Sequence, residues 1–307
     1  MNWNEIIIKV ATEDCDVAAA IANVVVPHGI YVEDYSDLEQ GAQEIAHIDL
    51  IDDQLLSKDR SQSYIHIYIS EEENCFEILE FLYERFRSEG IDFEICKNKV
   101  DENDWADNWK KYFKVTQVGK RLVIRPIWEN YDNVNNKAVI NIDPGAAFGT
   151  GTHATTRMCL ELLDRYVTDG QSVLDVGCGS GILSVASLLL GAESAVGVDI
   201  DSVAVKVAKE NAKRNGVDNK VEYISGNLCD NVTGKYDIIC ANIVADAILM
   251  LTPDIKSFMK ENSIYICSGI IDIRTSEVKK SLVDNGFKII DVCTDENWYA
   301  FAAVLND

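Results

Sequence analysis

The chain has 307 residues, 47% hydrophobic and 26% charged, which is ordinary for a soluble globular protein with room for two domains. No apolar run is long enough to span a membrane, and the start, MNWNEIIIKV, carries Glu5 and lacks the basic lead of a signal peptide. The net charge of −23 falls mostly on residues 1–100, with 22 Asp and Glu against 7 Lys and Arg; this disfavours direct nucleic-acid binding and favours a basic partner.

Nine cysteines without a C-x-x-C, and four scattered histidines (His28, His47, His66, His153), give no zinc spacing and no disulfide framework. Reduced thiols in a cytoplasmic protein are expected.

In chain order, NEIIIKVA reads as a strand and CDVAAAIANVV as a helix stopping before Pro27 and Gly29. IYVEDY is a second strand, and a polar stretch from Ser36 to Ser61 follows. SYIHIYIS alternates with period 2, placing Tyr64, His66 and Tyr68 on one face and Ile65, Ile67 and Ile69 on the other. His66 is thereby a strand-face residue rather than a ligand. EENCFEILEFLYERFRSEG is an amphipathic helix with Phe76, Leu79, Leu82, Tyr83 and Phe86 on its apolar side, ending at Gly90, and DFEICKNKV closes the series. The order β-α-β-β-α-β is that of a ferredoxin-like α+β domain. Residues 1–100 contain no catalytic cluster and are expected to be a recognition domain.

Residues 101–114 read as a linker helix with Trp105, Trp109 and Tyr112 in one stripe, and residues 115–307 as a second domain. That domain opens with VTQVGKRLVIRPIW, a hairpin turning at Gly119-Lys120. From Gln171 onward SVLDV, AVGVDI, KVEYIS, YDIICANI and SIYICSGII are near-continuous apolar strands. They alternate with ILSVASLLL, SVAVKVAKENAKRNG and a helix over about Ala245–Lys260. This pattern predicts a doubly wound α/β domain whose mostly parallel sheet is covered on both faces. FKIIDVCTDENWYAFAAVLN adds two strands, the last antiparallel.

Three strand ends carry chemistry. LDVGCGSG places Gly177, Gly179 and Gly181 between a strand and a helix, where glycine allows a tight turn and close ligand approach. The dinucleotide pattern G-x-G-x-x-G needs glycine where Ile182 stands, so a nucleoside without pyrophosphate suits the turn better. Asp199, ending GVD, lies at the distance from Gly177 at which a carboxylate meets ribose hydroxyls, and Asp201 or Ser202 caps the next helix more naturally. Asn242, in CANIVAD, is either a ligand-edge residue or a helix cap. The loop FGTGTHATT, Phe148 to Thr156, has no lysine and fails the phosphate-loop pattern.

DVGCGSG, VDID and ANI together resemble the class I methyltransferases that use S-adenosylmethionine. IDPGAAFGTGTHATTRMCLELL resembles more narrowly the bacterial PrmA family, which methylates the large-subunit ribosomal protein L-11, and the resemblance covers nearly the whole chain. It implies cofactor contacts at Thr156, Gly177, Asp199 and Asn242, with Gly179 and Gly181 in the same turn. It also implies that Phe148 and Gly149 lie in a loop walling the methionine end. The implied reaction is methylation of lysine side chains and an N-terminal amine, with Asn242 accepting a hydrogen bond from the amine. Trp298 and Tyr299 are candidates for cation–π stabilisation of the product. The competing readings are an NAD-dependent oxidoreductase, which suits Asp199 but not Ile182, and a non-catalytic module docking a basic protein.

Overall fold

A computed structural model describes residues 3–26, 30–36, 59–70, 75–97, 113–143, 148–151, 153–295 and 297–306. The chain divides into two compact units, Met1–Trp109 and Lys110–Asp307. Trp105, Trp109 and Tyr112, and the polar stretch 37–58, lie outside the described residues.

The first unit runs β1 (Trp3–Ala11), α1 (Cys15–Val25), β2 (Ile30–Glu33), β3 (Gln62–Ser70), α2 (Cys75–Glu89) and β4 (Phe93–Lys97). The sheet order is β2-β3-β1-β4 with every pair antiparallel, the ferredoxin-like arrangement. Strand alternation sets its faces. Ile6, Ile8, Val10, Ile65, Ile67 and Ile69 are buried, as are Ala18 and Ile21 of α1 and Leu79, Leu82 and Phe86 of α2. Each such side chain contributes on the order of 1.5–3 kcal/mol of burial. Tyr83 is only half-buried and meets Phe93 edge-on at 5.0 Å between ring centres, while the Phe76 side chain lies outside the described residues. β2 is shorter than IYVEDY suggests, because the Asp34 carboxylate accepts from the Ser36 amide at 2.8 Å and turns the chain.

The second unit begins with β5 (Thr116–Val118) and β6 (Leu122–Pro126), the expected hairpin, and β7 (Ala138–Ile142) pairs parallel to β6. AVINI was not legible as a strand, being short and set among polar turn residues. There follow α3 (Ala154–Tyr166), β8 (Ser172–Val176), α4 (Ile182–Leu189), β9 (Ser194–Asp199), α5 (Ser202–Arg214), β10 (Val221–Ser225) and β11 (Tyr236–Asn242). Then come α6 (Ala245–Ile255), β12 (Met259–Ile271), α7 (Thr275–Asp284), β13 (Phe287–Asp295) and β14 (Trp298–Leu305). The sheet order is β10-β9-β8-β11-β12-β14-β13, parallel except for β14.

Both faces of this sheet are buried. Val173, Ile238, Cys240 and Ile266 face one core, and Leu174, Val176, Ile239, Ala241 and Cys267 the other. This is why the strands read as continuous apolar runs. The helix expected to reach Lys260 ends at Ile255; one 3-10 turn follows, and Met259 already pairs with Tyr236. Strand order reverses between β8 and β11, so the crevice outside their carboxyl ends is the topological switch point. Asp164, buried near the end of α3, accepts from the Lys120 and Arg121 amides at 2.7 and 3.1 Å, docking the hairpin onto the helix that borders that crevice.

Candidate active site

The glycine turn after β8 is closed by its own chain. Gly177 and Cys178 donate to Val198 O at 2.8 and 3.0 Å, and Gly181 donates to Cys178 O at 2.8 Å. Ser180 donates from its amide to Phe148 O at 2.9 Å, and Ile182 donates to the Ser180 hydroxyl at 3.3 Å. Gly179 donates to Asp199 Oδ2 at 2.8 Å. All six amides are thus spent on protein acceptors, and none is left pointing at a phosphate. The glycines are required for loop packing as much as for ligand approach. At Gly179 (φ +53°) a Cβ would stand 2.6 Å from Phe148 O, and at Gly177 (φ +69°) it would meet the Ile243 side chain at 2.3 Å. Gly181, also at positive φ, starts α4.

The same contacts seat the FGTG loop. Beyond its amide bond to Phe148, Ser180 donates its hydroxyl to Gly149 O at 2.6 Å. Asp199 is fixed by two amides, that of Gly179 and that of Asp201 at 2.9 Å. Asp201, not Asp199, caps α5, accepting from the Val203 amide at 2.9 Å. Ile200 follows Asp199 with an exposed apolar side chain. Thr156, fully buried on α3, and Asn242, at the end of β11, meet directly: Asn242 Nδ2 donates to Thr156 Oγ1 at 3.3 Å. With the amide nitrogen so engaged, the remaining polar atom of Asn242 is the acceptor Oδ1. The named residues therefore form two linked groups on one sheet edge, Asp199 with the glycine turn and Phe148-Gly149, and Thr156 with Asn242.

Two further polar residues of the crevice were given no role of their own by the sequence reading. Asp175, two positions before Gly177, is fully buried; its Oδ2 accepts from Ser184 N and Oγ at 3.1 and 2.7 Å, and its Oδ1 has no partner among the described residues. Burial pushes its carboxyl up to about 7, against the Ser184 hydrogen bonds. His153 caps α3: its Nδ1 accepts from the Thr155 amide at 3.3 Å and lies 2.8 Å from Thr155 Oγ1. Nδ1 is therefore unprotonated, and the proton sits on Nε2. Burial, aided by the nearby Arg157 cation, lowers its pKa to about 4. Arg157 itself is paired with Asp295 at 2.5 Å. The signal for His153 was its place directly before a helix in GTGTH; histidine is an uncommon cap.

The ring of His153 stands between Phe148, at 5.2 Å, and Trp298, at 5.1 Å, edge-to-face with each. Tyr299 is not part of this group. Alternation along β14 sends it to the other face, against Phe301, with Lys279 Nζ 6.0 Å from its ring centre.

The donor set suits a ligand with hydroxyls and a positive charge but no phosphate. It offers a carboxylate, an amide oxygen, a hydroxyl and aromatic rings, with no amide cradle. Among the described residues no cluster of His, Cys, Asp or Glu could hold a metal ion. The eight described cysteines are free.

The sequence model of the family described as "Ribosomal protein L11 methyltransferase (PrmA)" matches residues 2–306. The chain belongs to this family. Relatives named ribosomal protein L11 methyltransferase include the following two. That of Acetivibrio thermocellus is 39% identical over 98% of this chain and 97% of its own length. That of Caldanaerobacter subterraneus subsp. tengcongensis is 42% identical over 97% of each. A crystal structure of the ribosomal protein L11 methylase from Lactobacillus delbrueckii subsp. bulgaricus superposes with a TM-score of 0.60 at 34% identity, covering 64% of this chain and all of that one. The fold is thus that of a class I methyltransferase, and the L11 methyltransferase family takes its methyl groups from S-adenosylmethionine. The residues found here fit that donor, a sulfonium cation with a ribose diol and no phosphate.

Proposed function

We propose that the chain transfers methyl groups from S-adenosylmethionine to amino groups of ribosomal protein L11, both lysine side chains and the N-terminal amine. The observation that carries this reading is the composition of the switch-point crevice. A family member holds Asp199, Thr156 and Asn242 around a glycine turn whose amides are all internally bonded. A dinucleotide reading lacks the free amides a pyrophosphate requires. A purely docking module would have no use for the constellation.

In this reading the Asp199 carboxylate accepts from the ribose hydroxyls, and Ile200 lies against the base. Phe148, Gly149 and Thr156 border the methionine end, and Asn242 Oδ1 accepts from the target amine and aims its lone pair. Methyl transfer requires nitrogen, methyl and sulfur in line, and alignment of this kind is worth up to about 7–11 kcal/mol. The amine must be neutral, and burial lowers a lysine from its usual value near 10.4.

The first unit is read as the recognition element for a basic protein. The sheet face opposite its core carries Tyr31 and Tyr68, both exposed, with Glu5, Glu33 and His66. His66 Nδ1 lies 3.0 Å from Glu5 and its Nε2 3.7 Å from Glu33, and Tyr68 donates to Glu5 at 2.9 Å. The hydrogen bonds from His66 and Tyr68 hold the Glu5 carboxyl below its usual range, so this face stays anionic. No helix among the described residues is long and apolar enough to cross a membrane. In this reading the enzyme works in the cytoplasm, on protein rather than on nucleic acid.

The test is incubation of the purified chain with S-adenosylmethionine and recombinant L11, read by intact-protein and peptide mass spectrometry. Methyl increments on lysines and the N-terminal amine are expected. No increment on L11, with transfer to another protein in a ribosomal extract, would overturn the substrate assignment.

A further inference from the structure

Resting on the proposed placement of the cofactor, we propose that Asn211, with Arg214 and Asn215 beside it on α5, is a positioning residue. It seats the FGTG loop over the methionine end by holding Ser180, without contacting the ligand.

The hub is Ser180, which is buried. Its amide and hydroxyl donate to the Phe148 and Gly149 carbonyls and so carry the loop. Its own carbonyl is taken by Asn211, whose Nδ2 donates at 2.9 Å. Asn211 is 1% exposed, on a helix face otherwise buried through Ala204, Val205, Ala208 and Ala212. An amide on such a face is costly unless both its ends are paired. Both are, because Arg214 Nη1 donates to Asn211 Oδ1. Arg214 Nη2 donates in turn to Asp143 Oδ2 at 3.2 Å. Asn215 Oδ1 accepts from the Asn141 amide at 2.7 Å and its Nδ2 donates to Asn141 O at 2.8 Å, gripping β7 as a paired strand would.

Positions 211, 214 and 215 share one helix face. Asn141 and Asp143 lie at the end of β7, and Phe148 and Gly149 belong to the connection from β7 to α3. One turn of α5 therefore holds both the start of that connection and its seat on the glycine turn. The other end of α5 starts beside the ribose acceptor, where Asp199 accepts from the Asp201 amide and Asp201 caps the helix. Between the two ends the helix lies tight against the turn: a Cβ on Gly181 would stand 2.9 Å from that of Ala208.

Removing the Asn211 donor leaves the Ser180 carbonyl buried and unpaired. The turn relieves this by moving Ser180, and its contacts to Phe148 and Gly149 move with it. Asp199 is held by separate bonds from Gly179 and Asp201, so the ribose end stays in place. Asn211 thus governs one end of the cofactor and not the other.

The test is calorimetry on the full-length chain with two ligands. S-adenosylhomocysteine has the amino-acid end; 5′-methylthioadenosine keeps the nucleoside and lacks it. Asn211→Asp preserves shape and the Arg214 contact but has no donor for Ser180. It should bind S-adenosylhomocysteine about 5- to 100-fold more weakly and 5′-methylthioadenosine within about 2-fold of wild type, with circular dichroism unchanged. Arg214→Gln and Asp143→Asn, at the half-exposed end of the network, should each give a smaller loss of the same selective kind, and the double variant should lose no more than the larger single. Equal weakening of both ligands, or none of either, would overturn the positioning role and leave Asn211 a residue of the fold alone. Should Asn211→Asp not fold, Arg214→Gln decides by the same criterion. Asp199→Ala is the separate control: if it leaves 5′-methylthioadenosine affinity unchanged, the cofactor placement itself is wrong, whatever the α5 variants show.

Discussion

The two ends of the crevice are built on different principles. At the β9 end, Asp199 and the glycine turn are knitted by backbone hydrogen bonds, and every amide from Gly177 to Ile182 has an acceptor. At the β11–β14 end, one side-chain bond joins Asn242 to Thr156, and the rest is aromatic edge contact through His153. In the proposed reading the first end meets a fixed set of hydroxyls, for which rigid acceptors are the right tool. In the same reading the second meets a nitrogen that changes charge and size, for which neutral, polarisable surface serves better. The contrast assigns affinity to one end and rate to the other.

The largest expected effect breaks the β9 end. Asp199→Ala should weaken S-adenosylmethionine binding by about 2–3 kcal/mol, the loss of one or two charged hydrogen bonds. Calorimetry on a folded variant checks it, and unchanged affinity would remove Asp199 from the site. Breaking the other end should look different. Asn242→Ala should lower kcat about 10- to 100-fold, while cofactor affinity changes little, because an alignment contact is felt mainly in the transition state. Equal losses in both would erase the division between the ends.

A smaller effect concerns the first unit, which lies outside the contrast altogether. Raising salt should increase the KM for L11 by roughly 10-fold and leave cofactor affinity nearly constant, since exposed charge is screened within about 8 Å at physiological ionic strength. Truncation to residues 101–307, once shown to fold, should keep cofactor binding and lose methylation of intact L11. Full-rate methylation by that truncation would free the acidic unit from any recognition role.

The smallest effect is a pair of opposed pH slopes. The folded-state pKa of Asp175 is raised to about 7, so the native state binds the extra proton and stability falls as pH rises from about 4 to 7. That of His153 is lowered to about 4, so the unfolded state binds the extra proton and stability falls as pH drops below about 6.5. The two slopes partly cancel in the wild type. Asp175→Asn should expose the rising slope and His153→Asn the falling one, each shifting Tm by a few degrees across pH 4.5–6.5. Parallel profiles for both variants would show that these groups do not titrate as their burial requires.

The sequence by itself determined the strand and helix order of the first unit and most of that of the second, because period-2 alternation in SYIHIYIS and unbroken apolar runs in YDIICAN follow directly from one-sided and two-sided burial. It also determined the positions of Gly177, Asp199 and Asn242, since strand ends before turns are visible in spacing alone. It did not show β7 or α7, whose apolar faces are too short to stand out from polar surroundings. Tertiary structure alone decided that the turn amides face the protein rather than a phosphate, because their acceptors on Phe148, Val198 and Asp199 come from distant segments. It alone separated Trp298 from Tyr299, adjacent in sequence but sent to opposite faces by the pleat. And it alone made His153 a neutral, single-tautomer ring: the signal for a charge state lies in burial and partners, which no spacing of residues records.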